Sequence, residues 1–206
     1  MTREREIITV LTHCLRVLSL SQVARLWWSD TRWGRRRALQ NVKACESRGL
    51  LHFQRVLARP IGALRSPLVV WHVGEGEPDW SAISKQLHRR GKLDPVMETV
   101  VFASRLAFDV FGKSRVSPIK LTQMTHDVQV SEVFFRYWLR GMPFDSWINE
   151  DRLPPDFSTG ARPDALLVDS TGSWLRAIEY GGDYSVERLV ALRDCAARCN
   201  VALELW

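Results

Sequence analysis

Two carboxylates, Asp164 and Glu179, lie in apolar runs on either side of the segment Ser170-Thr171-Gly172-Ser173, which is typical of a turn. If the turn is symmetric about Thr171 and Gly172, Asp164 lies directly opposite Glu179 on a strand hairpin, with Cβ atoms about 5 Å apart. Two negative charges at that distance need a cation, a proton or a basic neighbour. A divalent metal ion is one such partner, and it would indicate nuclease chemistry.

The residues around this pair predict a mixed sheet. From residue 125 onward the sequence predicts a helix ending at Gly141, a strand at 144–150, the two hairpin strands, a second helix and a final strand, VALELW. Both faces of the hairpin are apolar, which is typical of the middle of a sheet, where an unpaired charge is costly. The predicted order of elements is therefore αβββαβ.

The net charge of +6 is unevenly distributed along the chain. Residues 1–90 contain 16 Lys and Arg against 7 Asp and Glu, whereas residues 91–206 contain 13 against 16. The excess is densest between residues 31 and 65, where nine basic residues accompany one acid, Glu46. Because positive surface attracts phosphate backbones, this asymmetry indicates a polyanion-binding module in the N-terminal part.

The N-terminal part predicts three helices and a hairpin. Apolar residues at helical spacing predict a helix over 4–18, Ser21 is a good N-cap for a short second helix, and Ser29-Asp30-Thr31 provides a turn and cap before a third helix ending near Gly49. Strand-like runs follow at 50–58 and 67–73, joined by an arginine-containing loop, and a helix is predicted from Asp94-Pro95 to 111. Helix-turn-helix followed by a hairpin predicts a winged helix.

In a winged helix the third helix enters the major groove of DNA and the wing contacts phosphates or the minor groove. Arg36 and Gln40 are predicted to contact bases, because Arg pairs bidentately with guanine and Gln with adenine. The remaining basic residues of the helix and wing are predicted to supply affinity through the backbone. The full predicted DNA-binding set is Arg32, Arg35, Arg36, Arg37, Gln40, Lys43, Arg55, Arg59 and Arg65.

Two alternatives apply to this module. The basic helix could instead dock onto an acidic protein partner. The tryptophans Trp27, Trp28, Trp33 and Trp71 could form a base-stacking platform, but their spacing among Leu and Val favours a place in the core.

With Pro163-Asp164 on its second strand and Glu179 at the end of its third, the C-terminal part resembles the PD-(D/E)xK nuclease core. The whole chain, winged helix first, resembles the replication-relaxation family of plasmid and mobile-element proteins. In active nucleases of this type, an Asp and a Glu bind a divalent metal ion that activates water, and a lysine two residues after the Glu assists them. The resemblance implies that Asp164 and Glu179 are the metal-binding acids of this chain. The position of the lysine is Gly181 here.

The same register places Arg162 opposite Gly181, within reach of both carboxylates. Arg162 could supply the missing positive charge, but as a permanent cation it is poorly suited to act as a base. Glu132 and Glu150 are possible additional metal ligands or ordinary surface acids. Three interpretations of the carboxylate pair stay open: an active metal-dependent nuclease, a degenerate nuclease fold kept for contacts with DNA or protein, and a structural ion cluster.

The sequence thus predicts an α+β/α/β protein of two modules: a winged helix-turn-helix at 1–78, a linker and connecting helix at 79–124, and an αβββαβ PD-(D/E)xK-like sheet flanked by helices at 125–206. The predicted function is sequence-specific binding of double-stranded DNA, as a regulator of transcription or of replication and transfer of a mobile element, by a homodimer with a catalytically degenerate nuclease-like domain and no cofactor. The alternative is an endonuclease dependent on Mg²⁺ or Mn²⁺ and targeted by the winged helix.

Composition also bears on location. No apolar run approaches the roughly 20 residues needed to span a bilayer, and the start of the chain lacks a signal-peptide pattern. The four cysteines lack paired CxxC spacing, which favours reduced thiols over a zinc site. A cytoplasmic protein is therefore expected.

Overall fold

A computed structural model of the protein describes residues 2–60, 64–90, 93–112 and 119–206. Within these ranges the fold is mixed α/β, with seven α-helices and two sheets. In chain order the elements are α1 (Arg3–His13), β1 (Leu18–Ser19), α2 (Leu20–Trp27), α3 (Arg32–Ser47), β2 (Leu51–Ala58), β3 (Val69–Trp71), α4 (Trp80–Arg90), β4 (Val96–Ala103), α5 (Arg105–Phe111), α6 (Met124–Trp138), β5 (Trp147–Asn149), β6 (Ala165–Val168), β7 (Trp174–Glu179), α7 (Val186–Arg198) and β8 (Ala202–Leu205).

The chain divides into two compact units. The first unit contains Met1–Ile61 and Asp94–Glu132, and the second contains Gly62–Leu93 and Val133–Trp206. Helix α6 begins in the first unit and ends in the second. These units differ from the predicted division after residues 78 and 124, because the chain leaves the first unit after β2 and returns to it before β4.

The first unit contains helices α1 to α3 and a three-stranded antiparallel sheet of order β1-β4-β2. Strand β2 pairs with β4 from Leu51↔Ala103 to Ala58↔Val96. One face of this sheet packs Val56 and Val100 against the buried start of α6. The strands are therefore held both by their hydrogen bonds and by an apolar layer.

This pairing corrects two predictions. The predicted hairpin between 50–58 and 67–73 does not form, because β3 pairs with β8 in the other sheet, with Val69 opposite Leu205. The helix predicted from residue 94 is also wrong over its first half, where Val96–Ala103 forms a strand rich in Val and Thr, residues that favour strands. A helix begins only after Ser104, whose hydroxyl accepts a hydrogen bond from the Ala107 N–H at 3.1 Å.

Polar caps define the helix starts in the first unit. Ser19, rather than the predicted Ser21, caps α2 in a reciprocal capping box with Gln22. The predicted cap of α3 is confirmed, because the Thr31 hydroxyl accepts from the Gly34 N–H at 3.1 Å. Gln22 is fully buried and also donates to the Val128 carbonyl at 3.0 Å. One side chain thus ties the start of α2 to α6.

The second unit is built on a five-stranded sheet of order β3-β8-β7-β6-β5, in which β7 and β8 are parallel and the other neighbours antiparallel. The order of elements predicted for residues 125–206, αβββαβ, is confirmed by α6, β5, β6, β7, α7 and β8. One face packs Leu166 and Leu203 in a core with Leu189 of α7. On the other face, Phe134 of α6 meets Trp147 edge to face, with ring centroids 5.4 Å apart.

Within the described ranges every helix is too short or too polar to cross a bilayer. The cysteines are free thiols, with Cys14, Cys45 and Cys195 buried and Cys199 partly buried. Burial raises the pKa of the Cys195 thiol. A raised thiol pKa is typical of a structural cysteine.

Replacing Gln22 by Ala is expected to destabilise the protein by about 2 kcal/mol, because it leaves the buried Ser19 N–H unpaired and removes the bond to Val128. Chemical denaturation followed by circular dichroism measures the loss. Gln40→Ala is the matched control, since Gln40 is exposed on α3 and its truncation should leave the midpoint unchanged. Equal midpoints for both variants would contradict this account of Gln22.

Candidate functional site

Helix α3 has one buried face and one basic face. Gly34, Ala38, Val42 and Cys45 are buried, so the opposite side of the helix faces solvent. Six of the predicted DNA-binding residues are exposed on this helix: Arg32, Arg35, Arg36, Arg37, Gln40 and Lys43. The helical period separates the packing residues from the basic ones.

The other three predicted contacts are also exposed, one on a strand and two in the connection between β2 and β3. Arg55 lies on β2 opposite Thr99, and Arg59 follows β2, where its N–H donates to the Thr125 hydroxyl at 3.0 Å. Arg65 belongs to the second unit. Because β2 and β3 lie in different sheets, the connection that carries Arg59 and Arg65 is not the turn of a hairpin, and its residues 61–63 lie outside the described part of the chain.

Some of the positive charge is matched within the first unit. Arg35 pairs with Asp30 at 2.8 Å, and Arg48 pairs with Glu4 at 2.7 Å. The Arg37 guanidinium lies over the Trp33 ring, 5.5 Å from its centroid. Exposed ion pairs are weak and screened by salt, so they leave this face able to attract phosphate.

The tryptophans divide between core and surface. Trp27 and Trp71 are each only 5% exposed, as expected for core residues. Trp33 is 60% exposed, so the prediction that it belongs to the core is wrong. Trp33 is the second residue of α3, adjacent to the buried Gly34 but not on the buried face.

The carboxylate pair lies where the register predicts. Strand β6 pairs with β7 through Ala165↔Ile178 and Leu166↔Ala177, so Asp164, just before β6, meets Glu179 at the end of β7. The Asp164 N–H donates to Glu179 Oε2 at 3.0 Å, and the Tyr180 N–H donates to Asp164 Oδ2 at 2.7 Å. Each carboxylate is therefore held by a backbone N–H from the opposite side of the hairpin.

Glu179 is only 1% exposed, and its other oxygen is also hydrogen-bonded. The Tyr184 hydroxyl donates to Glu179 Oε1 at 2.6 Å. Burial raises the pKa of the Tyr184 phenol above its usual range, and the negative charges of Glu179 and Asp164 raise it further. Tyr184 therefore remains a protonated donor to the carboxylate.

The cation beside the pair is Arg188 rather than the predicted Arg162. Arg188 Nη2 lies 3.9 Å from Glu179 Oε1, and its guanidinium lies over the Tyr184 ring at 5.5 Å. Arg162 is exposed and donates instead to the Glu150 carbonyl at 2.6 Å. Register fixes the neighbours of a Cβ atom, but a long arginine side chain can turn away from them.

Gly181, at the position of the nuclease lysine, is buried and packed against α4. A Cβ atom there would lie 2.6 Å from Leu87 Cδ2 and 3.2 Å from Leu205 Cδ1. The Gly181 N–H donates to the Trp206 carbonyl at 2.9 Å and so continues the contact between β7 and β8. A side chain at this point therefore requires the Leu87 side chain to move.

The other proposed metal ligands lie elsewhere. Glu132 is buried in the first unit, where it accepts from Arg25 Nη2 at 2.5 Å and from Gln22 Nε2 at 3.3 Å. Glu150 follows β5 in a short 3-10 turn instead of ending the strand. Among the residues that the structure describes, no group of three or more His, Cys, Asp and Glu side chains is arranged to hold a metal ion.

A further buried acid, Glu204, was missing from the sites predicted from the sequence. Glu204 in β8 is 2% exposed and accepts from Arg176 Nη1 at 2.5 Å, from Trp206 Nε1 at 2.7 Å and from the Tyr137 hydroxyl. It lines a cavity of about 510 Å³ together with Tyr137, Arg140, Arg176 and Trp206. In the sequence this acid is indicated by its place in the otherwise apolar strand VALELW, because an acid buried in a sheet requires hydrogen-bonding partners.

Comparisons of the chain with protein-family models, with curated proteins and with solved structures found no match. The resemblance to the replication-relaxation family therefore stays a prediction drawn from the sequence. The geometry of α3 and of the carboxylate pair is the basis for any functional conclusion.

Gly181→Ala is expected to destabilise the protein by about 1–3 kcal/mol, because the added methyl group overpacks against Leu87. Thermal denaturation measures the change. Gly76→Ala is the matched control, since a Cβ there meets nothing within 4 Å.

Adding Leu87→Ala to Gly181→Ala opens the required space and tests the cause. The double variant should lose less stability than the sum of the two single variants. Additive losses would show that Leu87 does not restrict residue 181.

Proposed function

We propose that this chain binds double-stranded DNA through its first unit, which is a winged helix with α3 as recognition helix. The observation that carries the proposal is the exposed basic face of α3, opposite its buried face. Without β3 and α4, which belong to the second unit, the order in the first unit is α1-β1-α2-α3-β2-β4 with β2 and β4 antiparallel, and this order supports a winged helix.

The contacts divide by their chemistry. Arg36 and Gln40 lie about one helical turn apart on the exposed side of α3 and are the proposed base contacts. The remaining exposed arginines and Lys43 contact phosphates, which gives affinity and salt dependence without selecting sequence. Arg55, on the exposed part of β2, places the same chemistry on the wing.

We propose further that the second unit is a PD-(D/E)xK-like fold whose carboxylate pair is structural. Three features support this: both acids accept backbone N–H groups, Tyr184 donates to Glu179, and a side chain at position 181 would overlap Leu87 in its present position. The biological role is regulation of transcription, or of replication and transfer of a mobile element, by a homodimer in the cytoplasm. This role rests on the family resemblance.

A gel-shift series with duplex DNA at rising salt tests DNA binding. Binding at low salt should weaken steeply with salt, as expected for phosphate contacts. Arg36→Ala and Gln40→Ala should each cost about 1–3 kcal/mol on a preferred duplex and relax sequence preference, whereas Arg59→Ala should weaken all duplexes similarly.

Arg105→Ala, at an exposed position on α5 of the same unit, is the control for loss of one charge and should bind like the natural chain. Absence of duplex binding at low salt would contradict the proposal and favour the acidic protein partner. Uniform weakening by all variants of α3 would show that the base-contacting face is assigned incorrectly.

The adjacency of Asp164 and Glu179 is the observation that favours the alternative, a metal-dependent endonuclease. Incubation of supercoiled plasmid with the protein and Mg²⁺ or Mn²⁺ should give no cleavage. The control is Asp164→Asn, which keeps the volume and an acceptor for the Tyr180 N–H. Cleavage by the natural chain that disappears in Asp164→Asn would establish the nuclease instead.

A further inference from the structure

Trp33 is an exposed aromatic residue within the basic face of α3. Among the residues described, it is the one tryptophan with a largely exposed surface, at 60%. Arg37 lies over its ring at 5.5 Å, and Arg36 lies three residues further along the same helix. A large apolar ring surrounded by guanidinium groups indicates a partner that offers both negative charge and an apolar contact.

The position of Trp33 is fixed by its neighbours. Gly34 approaches the preceding turn so closely that a Cβ atom would lie 2.1 Å from the Ser29 carbonyl oxygen. The Gly34 N–H is also held by the Thr31 cap at 3.1 Å. Because α3 cannot rotate without breaking these contacts, the indole is directed away from the core.

The major groove of DNA offers one apolar group on its base edges, the C5 methyl of thymine. The phosphates beside it supply the negative charge that the neighbouring arginines require. An acidic protein surface that carries an apolar side chain would match the same features, and failure of the chain to bind any duplex would identify that case. The combination of ring and cations therefore fits duplex DNA.

We propose that Trp33 contacts a thymine methyl group in the major groove and so selects a T·A pair next to the bases contacted by Arg36 and Gln40. This inference rests on the proposed DNA binding by α3. Trp33 would select the base pair by apolar contact alone, without a hydrogen bond to a base.

The test uses the full chain and the duplex that it enriches from a random-sequence pool. Each thymine of that duplex is replaced in turn by deoxyuridine, which removes the methyl group and keeps every hydrogen-bonding group. At one thymine the replacement should weaken binding by the natural chain about fourfold, as expected for one buried methyl group. The same replacement should have no effect on Trp33→Ala and an intermediate effect on Trp33→Phe.

Val110→Ala is the control for truncation of an exposed apolar side chain, since Val110 is 61% exposed on α5 of the same unit. It should keep the full deoxyuridine effect. Equal deoxyuridine effects in the natural chain and Trp33→Ala, or no effect at any thymine, would overturn this inference while leaving DNA binding intact. Failure to enrich or bind any duplex would instead overturn the proposed function and this inference with it.

Discussion

The antiparallel pairing of β2 with β4 is the interaction on which both units depend. It joins Leu51 to Ala103 at one end and Ala58 to Val96 at the other, so the ends of the segment 59–95 are held side by side. That segment contributes β3 and α4 to the second unit. The β2–β4 hydrogen bonds therefore close the chain segment that contributes these two elements to the second unit, and closing it costs chain entropy.

The second unit contains two buried acids that are stabilised in different ways. Glu179 is held by a backbone N–H and a tyrosine hydroxyl, with Arg188 at a distance of 3.9 Å. Glu204 has a direct ion pair with Arg176 and two further donors. In each case the cost of burying a carboxylate is offset by several hydrogen bonds, so losing one donor would leave charge without compensation. Glu179 and Glu204 are thus each paired with donors from the chain itself.

The features predicted correctly depend on local rules. A short turn sets the register of its hairpin, which placed Asp164 opposite Glu179, and the apolar period of α3 identified its exposed face. The errors come from non-local choices. Two neighbouring strand-like runs, 50–58 and 67–73, predict a hairpin, whereas β2 pairs with β4, which lies further along the chain. The sequence of β4 is equally compatible with a helix. Trp33 is exposed although its spacing among apolar residues predicts a place in the core, and Arg188 rather than Arg162 lies beside Glu179 because register does not determine the direction of a long side chain.

The close packing of Leu87 against Gly181 links two distant parts of the sequence. A side chain at 181 costs stability unless residue 87 moves or becomes smaller, and a smaller residue at 87 leaves a cavity unless 181 becomes larger. Neither position is free to change alone. In an alignment of related chains, these two columns should therefore covary, with glycine at 181 accompanying a large aliphatic residue at 87 and with any lysine at 181 accompanying a small one.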